Sequence, residues 1–230
     1  MTKPKIIHFS DILCVWAYVA QSNLSRLAQD FGDQIDVEVR YCSVFPDSHG
    51  KIDRVWADRG GFTGYAAHVR DVVTGFPDVS LNDDTWVATR PRSSASPHQF
   101  IKVAELIEAE QVASGNPLDE RLSVRAAKEL RRAFFVEAQD ISHWDVQREV
   151  ANRLDMNFDD VLRRYESGEA IARLVGDYEL AQIMKIEGSP TYVLNEGRQR
   201  LYGNVSYGIV AANVREILSS QLDESASACS

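Results

Sequence analysis

The chain contains few cysteines and no long hydrophobic run. Its three cysteines, Cys14, Cys42 and Cys229, are a sparse and odd-numbered set that does not make a disulfide framework. No apolar stretch is long enough to span a bilayer. Near the N-terminus, His8 and Asp11 interrupt the apolar residues too early for the core of a signal peptide. We therefore expect an intracellular protein, located in the cytoplasm.

Basic charge and clustered metal ligands are also scarce. The formal net charge of −9 argues against nucleic acid or an anionic membrane surface as the main partner. The five histidines show no cluster at metal-ligand spacing, so we predict no metal site. Apart from His8 on the first strand, most of them are expected at the surface or at helix caps: His49, His68, His98 and His143.

The first part of the chain predicts a strand, a helix and a second strand. Residues 5–9 form an apolar run that is typical of a buried strand. Residues 16–31 carry an apolar helical stripe that stops at Gly32, and residues 35–41 alternate between apolar and polar side chains. This order indicates a βαβ unit with a parallel pair of strands.

Helical patterns dominate the middle of the chain, and strands return near its end. Residues 46–186 carry successive helical stripes. Residues 191–194 and 199–202 predict a hairpin around the turn sequence Asn195-Glu196-Gly197. Residues 207–218 predict a closing helix.

The element order predicts an α/β fold. A βαβ unit, a helical block and a ββα unit together match a thioredoxin-like core with an inserted helical domain. We place the core at residues 1–45 and 187–222 and the insertion at residues 46–186. Residues 223–230, which contain Cys229, are predicted to be a flexible tail.

Cys14 lies where the first strand gives way to a helix. The strand pattern breaks at Ser10-Asp11, and the helical pattern begins just after Cys14. Free backbone N–H groups and the helix dipole at such a position stabilise a thiolate and lower the cysteine pKa into a range of roughly 3.5–7.5. An imidazolium at His8 would act in the same direction, although a structural role is favoured there. Asp11 is interpreted as a turn residue, and Trp16 is expected to shield the thiol.

The second candidate segment is Gly188-Ser189-Pro190-Thr191, directly before a predicted strand. Pro190 cannot donate a hydrogen bond to a β-ladder, which favours the strand start for it. Only about 5–6% of X-Pro bonds in folded proteins are cis. The hairpin that follows and the strand–cysteine–helix unit upstream nevertheless favour a cis bond here.

Residues 9–18 and the Gly188-Ser189-Pro190-Thr191 segment together resemble the DsbA-type thioredoxin-like family. Its superfamily includes 2-hydroxychromene-2-carboxylate isomerases and kappa-class glutathione transferases. The resemblance covers nearly the whole chain, including the length and place of the helical insertion. The family pattern has Asp, two residues and then Cys-Pro-Trp-Cys-Tyr, whereas Val15 and Ala17 replace the proline and the second cysteine here. Besides a catalytic Cys14, the resemblance implies the supporting residues Asp11, Trp16, Ala17, Ser189, Pro190 and Thr191.

The missing second cysteine leads to the first functional hypothesis. A thiolate that attacks a disulfide forms a mixed disulfide. Because Ala17 has no sulfur, this product must be released by an external thiol such as glutathione, or by Cys42 or Cys229. We therefore predict a DsbA-like, monothiol thiol–disulfide oxidoreductase that acts through Cys14 on a small thiol or a protein disulfide. Glutathione is expected as a co-substrate, with no tightly bound cofactor.

Two alternative functions stay open. In a glutathione-dependent isomerase or transferase acting on a small organic electrophile, Cys14 would only donate a hydrogen bond to the glutathione thiolate. Ser189 and the backbone beside Pro190 would then bind the tripeptide as an added strand. In a catalytically silent binding module, Cys14 would be a small buried residue under Trp16. The oligomeric state is also open, with a homodimer among the alternatives.

Overall fold

In the computed structural model, which describes residues 3–111 and 116–227, four strands form one mixed sheet. Strands β1 (Lys5–Ser10), β2 (Asp36–Tyr41), β3 (Thr191–Leu194) and β4 (Gln199–Tyr202) lie in the order β2-β1-β3-β4. The β1–β2 pair is parallel, and the β1–β3 and β3–β4 pairs are antiparallel. The predicted α/β fold, with its parallel pair and its hairpin, is confirmed.

The helix that follows β1 is divided in two, so the prediction of one continuous helix at residues 16–31 is wrong. α1 (Val15–Val19) is followed by α2 (Ser22–Phe31). Between them the backbone hydrogen bonds shorten to three-residue spacing, from Gln21 N–H to the Tyr18 carbonyl oxygen at 3.2 Å and from Asn23 N–H to the Ala20 carbonyl oxygen at 3.0 Å. This tighter turn interrupts the α-helical pattern without a glycine or a proline.

Seven α-helices lie between β2 and β3 in the described part of the chain, and one follows β4. They are α3 (Ser48–Val55), α4 (Gly61–Thr74), α5 (Ala95–Gln111), α6 (Leu122–Arg131), α7 (Trp144–Arg153), α8 (Phe158–Glu166), α9 (Glu169–Ile183) and α10 (Tyr207–Ser227). The domain boundaries predicted after residues 45 and 186 fall in the connections before α3 and after α9.

The closing helix is longer than the sequence pattern indicates. α10 was expected at residues 207–218, but it continues to Ser227 and so enters the stretch predicted to be a tail. Cys229 lies outside the described residues. Within residues 3–111 and 116–227, no helix is long and apolar enough to cross a membrane.

The two faces of the sheet bury different sets of apolar side chains. Leu24, Leu27 and Val210 of α2 and α10 pack with Ile6 on one face. On the other face, Phe9 packs with Ala181 of α9. Full burial of one such large apolar side chain contributes about 1.5–3 kcal/mol. Residues 12–15 and 17–19 instead join the apolar cluster of the inserted helices, which places the start of α1 between the sheet and the insertion.

A buried ionic cluster also holds the insertion to β2. The Asp177 carboxylate of α9 lies 2.7 Å from Arg40 Nη1 and 2.5 Å from Lys102 Nζ of α5. Its second oxygen accepts a hydrogen bond from the Tyr41 N–H at 3.0 Å. Both α5 and α9 are therefore fixed against the end of β2 that leads into the candidate site.

Candidate active site

Cys14 lies directly before α1, after the short turn that follows β1. It is the N-cap of the helix, and its N–H donates to the Asp11 carbonyl oxygen at 3.1 Å. The side chain is 6% exposed, and its Sγ lies 3.2 Å from the carbonyl oxygen of Ser189. A carbonyl oxygen only accepts hydrogen bonds, so this contact suits a protonated thiol that donates.

Burial raises the pKa of the Cys14 thiol above its ordinary value. The backbone N–H groups of Ala17 and Trp16 and the side chain of Ser189 act in the opposite direction, whereas the negative charge of Asp11 adds to the increase. α1 has only five residues, and its field is correspondingly small. The prediction of a lowered pKa is therefore wrong for the free protein, because the loss of water outweighs the effect of the helix start.

Asp11 is a fully buried carboxyl group that joins three segments of the chain. Its Oδ1 accepts from the Leu13 N–H at 2.9 Å. Its Oδ2 accepts from the N–H groups of Val44 and Phe45 at 2.9 and 3.0 Å and from the Ser94 hydroxyl at 2.9 Å. Burial raises the pKa of this carboxyl group, and the four hydrogen bonds oppose that increase. Asp11 thus fixes the start of α1 against the loop after β2 and the start of α5.

The segment before β3 completes the site. The Ser189–Pro190 peptide bond is cis. The Asp11 N–H donates to the Ser189 hydroxyl oxygen at 2.8 Å, and the Thr191 hydroxyl donates to the Gly188 carbonyl oxygen at 2.8 Å. Ser189 therefore contacts the thiol through its carbonyl group and the start of the α1 turn through its hydroxyl group.

Trp16 and Ala17, two and three residues after the thiol, differ in exposure. Ala17 is buried, with 2% of its surface exposed, and it supplies no second sulfur. Trp16 is 38% exposed, and its ring lies 6.3 Å from the ring of His68 in an edge-on arrangement. Trp16 is thus partly exposed beside a buried thiol, and the hydrogen bond of Cys14 Sγ is with the cis-proline segment.

Two buried histidines, His8 and His98, lie in this region, and for His98 the burial contradicts the expectation of a surface or capping residue. His98, at the start of α5, is fully buried, and its Nε2 accepts from the Ile12 N–H at 3.0 Å. Its Nδ1 therefore carries the proton and lies 3.0 Å from the Tyr178 hydroxyl. Burial lowers the pKa of His98 well below its ordinary value and that of His8 to about 3, so neither is an imidazolium at neutral pH.

Cys42 lies directly after β2 and is buried. Its N–H donates to the Ser10 carbonyl oxygen at 3.0 Å, and 5% of its surface is exposed. Cys14 and Cys42 are both free thiols. Burial raises the pKa of Cys42, with the negative charge of Asp11 acting in the same direction. Cys42 follows a strand and does not start a helix, so it lacks the helix-start N–H groups that stabilise a thiolate at Cys14.

A cavity of about 310 Å³ adjoins the cis-proline segment. Its lining includes Cys42, Gly188 and two lysines, Lys51 and Lys185. The Lys51 Nζ donates to the Val44 carbonyl oxygen at 2.8 Å, and burial lowers its pKa while nearby negative groups oppose that change. Pockets of this size accommodate small molecules. Among the described residues, no group of three His, Cys, Asp or Glu side chains could hold a metal ion.

The sheet order, the cysteine at the start of α1 and the proline before β3 define a protein of the thioredoxin-like class. A family model described as thioredoxin matches residues 8–210. The chain belongs to this thioredoxin family, and the predicted family relationship is confirmed. No curated protein matches the chain in sequence.

Solved structures share the fold over almost the whole chain. A candidate protein disulfide isomerase from Nitrosomonas europaea has a TM-score of 0.71 and 15% identity, with 97% of this chain and 99% of that chain covered. The cytosolic disulfide reductase DsbM from Pseudomonas aeruginosa has a TM-score of 0.64 and 20% identity, with 95% and 98% covered. A 2-hydroxychromene-2-carboxylate isomerase has a TM-score of 0.62 and 16% identity, with 95% and 98% covered.

Proposed function

We propose that the protein is a thiol–disulfide oxidoreductase that uses one cysteine, Cys14, and depends on glutathione to complete its cycle. The observation that carries this proposal is the contact between Cys14 Sγ and the Ser189 carbonyl group, at 3.2 Å, with Ala17 in the place of a resolving thiol. DsbM, which shares the fold, is described as a disulfide reductase and has been solved with glutathione. These features support thiol exchange at Cys14 with an external thiol as the second reactant.

The proposed cycle has two exchange steps. In the first, the Cys14 thiolate attacks the glutathione sulfur of a glutathionylated thiol. A bond forms between Cys14 and glutathione, the original S–S bond breaks, and the substrate leaves as a thiolate that takes up a proton. In the second, the thiolate of another glutathione attacks the sulfur of the bound glutathione. Oxidised glutathione leaves, and Cys14 returns to its reduced state.

Deprotonation of Cys14 is the demanding part of this cycle. Burial keeps the thiol protonated in the free protein by raising its pKa. Once the proton is lost, the N–H groups of Ala17 and Trp16 and the side chain of Ser189 stabilise the thiolate. The rate of the first step should therefore rise with pH until the raised pKa of the thiol is passed.

The cavity beside the cis-proline segment is the proposed place for part of the glutathione molecule. Glutathione carries two carboxylates, and Lys51 and Lys185 line the cavity. The Lys51 Nζ is held in position by its hydrogen bond to the Val44 carbonyl oxygen. Glu187, two residues after Lys185 in the chain, also lines the cavity and repels carboxylates, so those of glutathione are expected nearer to Lys51.

A second candidate function is favoured by the protonation state of Cys14. A buried thiol that donates to the Ser189 carbonyl oxygen could instead donate to the thiolate of bound glutathione. This would suit a glutathione-dependent isomerase or transferase acting on a small electrophile. A 2-hydroxychromene-2-carboxylate isomerase shares the fold.

Glutathione-dependent reduction of a glutathionylated peptide tests the proposal. The wild type should show turnover with ping-pong kinetics, and Cys14→Ser should lose it. Cys42→Ser removes the other buried free thiol and should keep kcat within about two-fold of wild type, whereas its place in the cavity lining bears on the KM for glutathione only.

Other outcomes of the same comparison identify the alternatives. If Cys14→Ser still binds glutathione and the wild type forms no covalent adduct, the isomerase or transferase function is favoured. If the wild type neither binds glutathione nor turns over, only a binding module remains. A loss of kcat in Cys42→Ser at saturating glutathione would refute a monothiol cycle.

A further inference from the structure

Tyr178 of α9 lies between the buried His98 and the cavity beside the cis-proline segment. The Tyr178 side chain is half-buried, and it lines that cavity together with Ser43. Its hydroxyl oxygen lies 3.0 Å from Nδ1 of His98. The two exchange steps proposed for Cys14 leave both hydroxyl groups, those of Tyr178 and Ser43, without a role.

The protonation of His98 fixes the direction of this hydrogen bond. The Nε2 atom of His98 accepts from the Ile12 N–H at 3.0 Å, so it carries no proton. The ring is neutral, because burial lowers the pKa of His98 well below its ordinary value, and its one proton is therefore on Nδ1. Nδ1 donates to the Tyr178 oxygen, which leaves the Tyr178 hydroxyl hydrogen free to bond elsewhere.

Ser43 supplies the second hydroxyl group at this position. Its side chain is exposed, and its hydrogen bond lowers the pKa of Tyr178, whereas burial raises it. The two hydroxyl groups carry two hydrogens, and only one of these can lie between the two oxygens. Within residues 3–111 and 116–227, neither hydroxyl group donates to another acceptor of the protein. One hydroxyl hydrogen is therefore left for an acceptor in the cavity.

Tyr178 is the better donor of the two hydroxyl groups. The phenol of tyrosine, with an ordinary pKa of about 10, is a stronger acid than the hydroxyl group of serine. A hydrogen bond that lowers the pKa of Tyr178 is one in which Ser43 donates to the phenol oxygen. That oxygen then accepts from both His98 and Ser43, so Tyr178 offers the cavity a donor. Such a wall favours a ligand atom that only accepts hydrogen bonds.

The charge of the cavity favours an anionic acceptor. Two lysines, Lys51 and Lys185, and one acidic residue, Glu187, are in its described lining. The Lys51 Nζ donates to the Val44 carbonyl oxygen at 2.8 Å and keeps further hydrogens for a ligand. A carboxylate only accepts hydrogen bonds and carries the charge opposite to that of the lysines. The volume of about 310 Å³ admits a carboxylate-bearing arm of a small molecule.

We propose that Tyr178 is a specificity-determining residue that donates a hydrogen bond to one carboxylate of glutathione in this cavity. The inference rests on the proposed function and extends it from the reacting thiol to the recognition of the co-substrate. Tyr178 is assigned to binding and not to the two exchange steps. A hydrogen bond to a charged group changes an affinity by about tenfold, which is the expected contribution of Tyr178.

Calorimetry with reduced glutathione and its two monoamides, each of which lacks the charge of one carboxylate, tests the inference. The reduced wild type should bind glutathione at least about tenfold more tightly than one of the monoamides. Tyr178→Phe should reduce this preference several-fold, because it weakens the binding of glutathione more than that of the monoamide. Tyr165→Phe is the matched control and should keep the preference, since its hydroxyl group bonds to Gln147 Oε1 at 2.9 Å and does not line the cavity.

The outcomes separate this inference from the proposed function. A wild type that binds glutathione and both monoamides equally well would overturn the inference, and this comparison does not depend on the folding of any variant. An unchanged preference in Tyr178→Phe would overturn it too. So would an equal loss of affinity for all three ligands, since that loss would indicate a distorted cavity. Absence of glutathione binding by the wild type, with no adduct on Cys14, would overturn the proposed function and this inference with it.

Discussion

Replacing Asp11 with alanine should destabilise the protein by at least about 3 kcal/mol. Three backbone N–H groups, those of Leu13, Val44 and Phe45, donate to its carboxylate. A buried donor that loses its acceptor costs about 1–3 kcal/mol. The Ser94 hydroxyl adds little to the loss, because the Phe45 carbonyl oxygen at 3.1 Å offers it another acceptor. Three such donors, each at about 1 kcal/mol, give the minimum loss of about 3 kcal/mol.

Equilibrium unfolding in urea measures this loss, with Asp47→Ala as the matched control. Asp47 is the N-cap of α3 and accepts one hydrogen bond, from the Gly50 N–H at 3.2 Å. It is half-exposed to solvent, so its removal should cost only about 1 kcal/mol. A loss in Asp11→Ala no larger than that in Asp47→Ala would refute the view that Asp11 holds the site together.

The pH dependence of the Asp11 contribution has a definite sign. Burial raises the pKa of the folded carboxyl group above the unfolded value of about 3.9. The folded state therefore binds the proton more tightly, and this contribution to stability falls as pH rises through the raised pKa. The difference between wild type and Asp11→Ala should be larger at acidic than at alkaline pH. A difference that grows with pH would contradict the assigned direction.

Three further predictions concern the thiol and its surroundings. The rate of Cys14 alkylation in the folded Cys42→Ser protein should keep rising above pH 8.5, which is about the ordinary pKa of a cysteine. A rate that saturates below pH 8 would contradict the raised pKa of Cys14. Ala17→Cys restores the cysteine spacing of the family, so the new thiol should form an internal disulfide with Cys14 on oxidation, measured as the loss of two free thiols. If both thiols stay free, this would count against the assigned position of Cys14. Lys51→Met should raise the KM for glutathione several-fold with little change in kcat, whereas an unchanged KM would exclude Lys51 from the glutathione site.

The local parts of the site could be predicted from the sequence. The break from strand to helix places Cys14 at the start of α1, and a proline that cannot join a β-ladder marks the start of β3. Both depend on a few neighbouring residues. The fold class follows in the same way, from the order of the periodic segments.

The contacts that set the chemistry could not be predicted from the sequence. Hydrogen bonds join Asp11 to Ser94 across 83 residues, Ile12 to His98 across 86, and Ser10 to Arg131 across 121. No local pattern reports such pairs.

The direction of the Cys14 pKa shift could not be predicted from the sequence either. The sequence indicates a helix start, which favours the thiolate, but not how deeply the thiol is buried. With 6% of its surface exposed, desolvation outweighs the donors of a five-residue helix. The balance between these effects is decided by packing against the inserted helices.

The most direct test of the central claim is the mass of the reduced protein after incubation with oxidised glutathione, followed by peptide mapping. We predict one glutathione per chain, attached to Cys14, with the adduct retained in Cys42→Ser and removed by added reduced glutathione. No adduct on Cys14, or an internal disulfide between Cys14 and Cys42 in its place, would contradict a monothiol cycle at the start of α1.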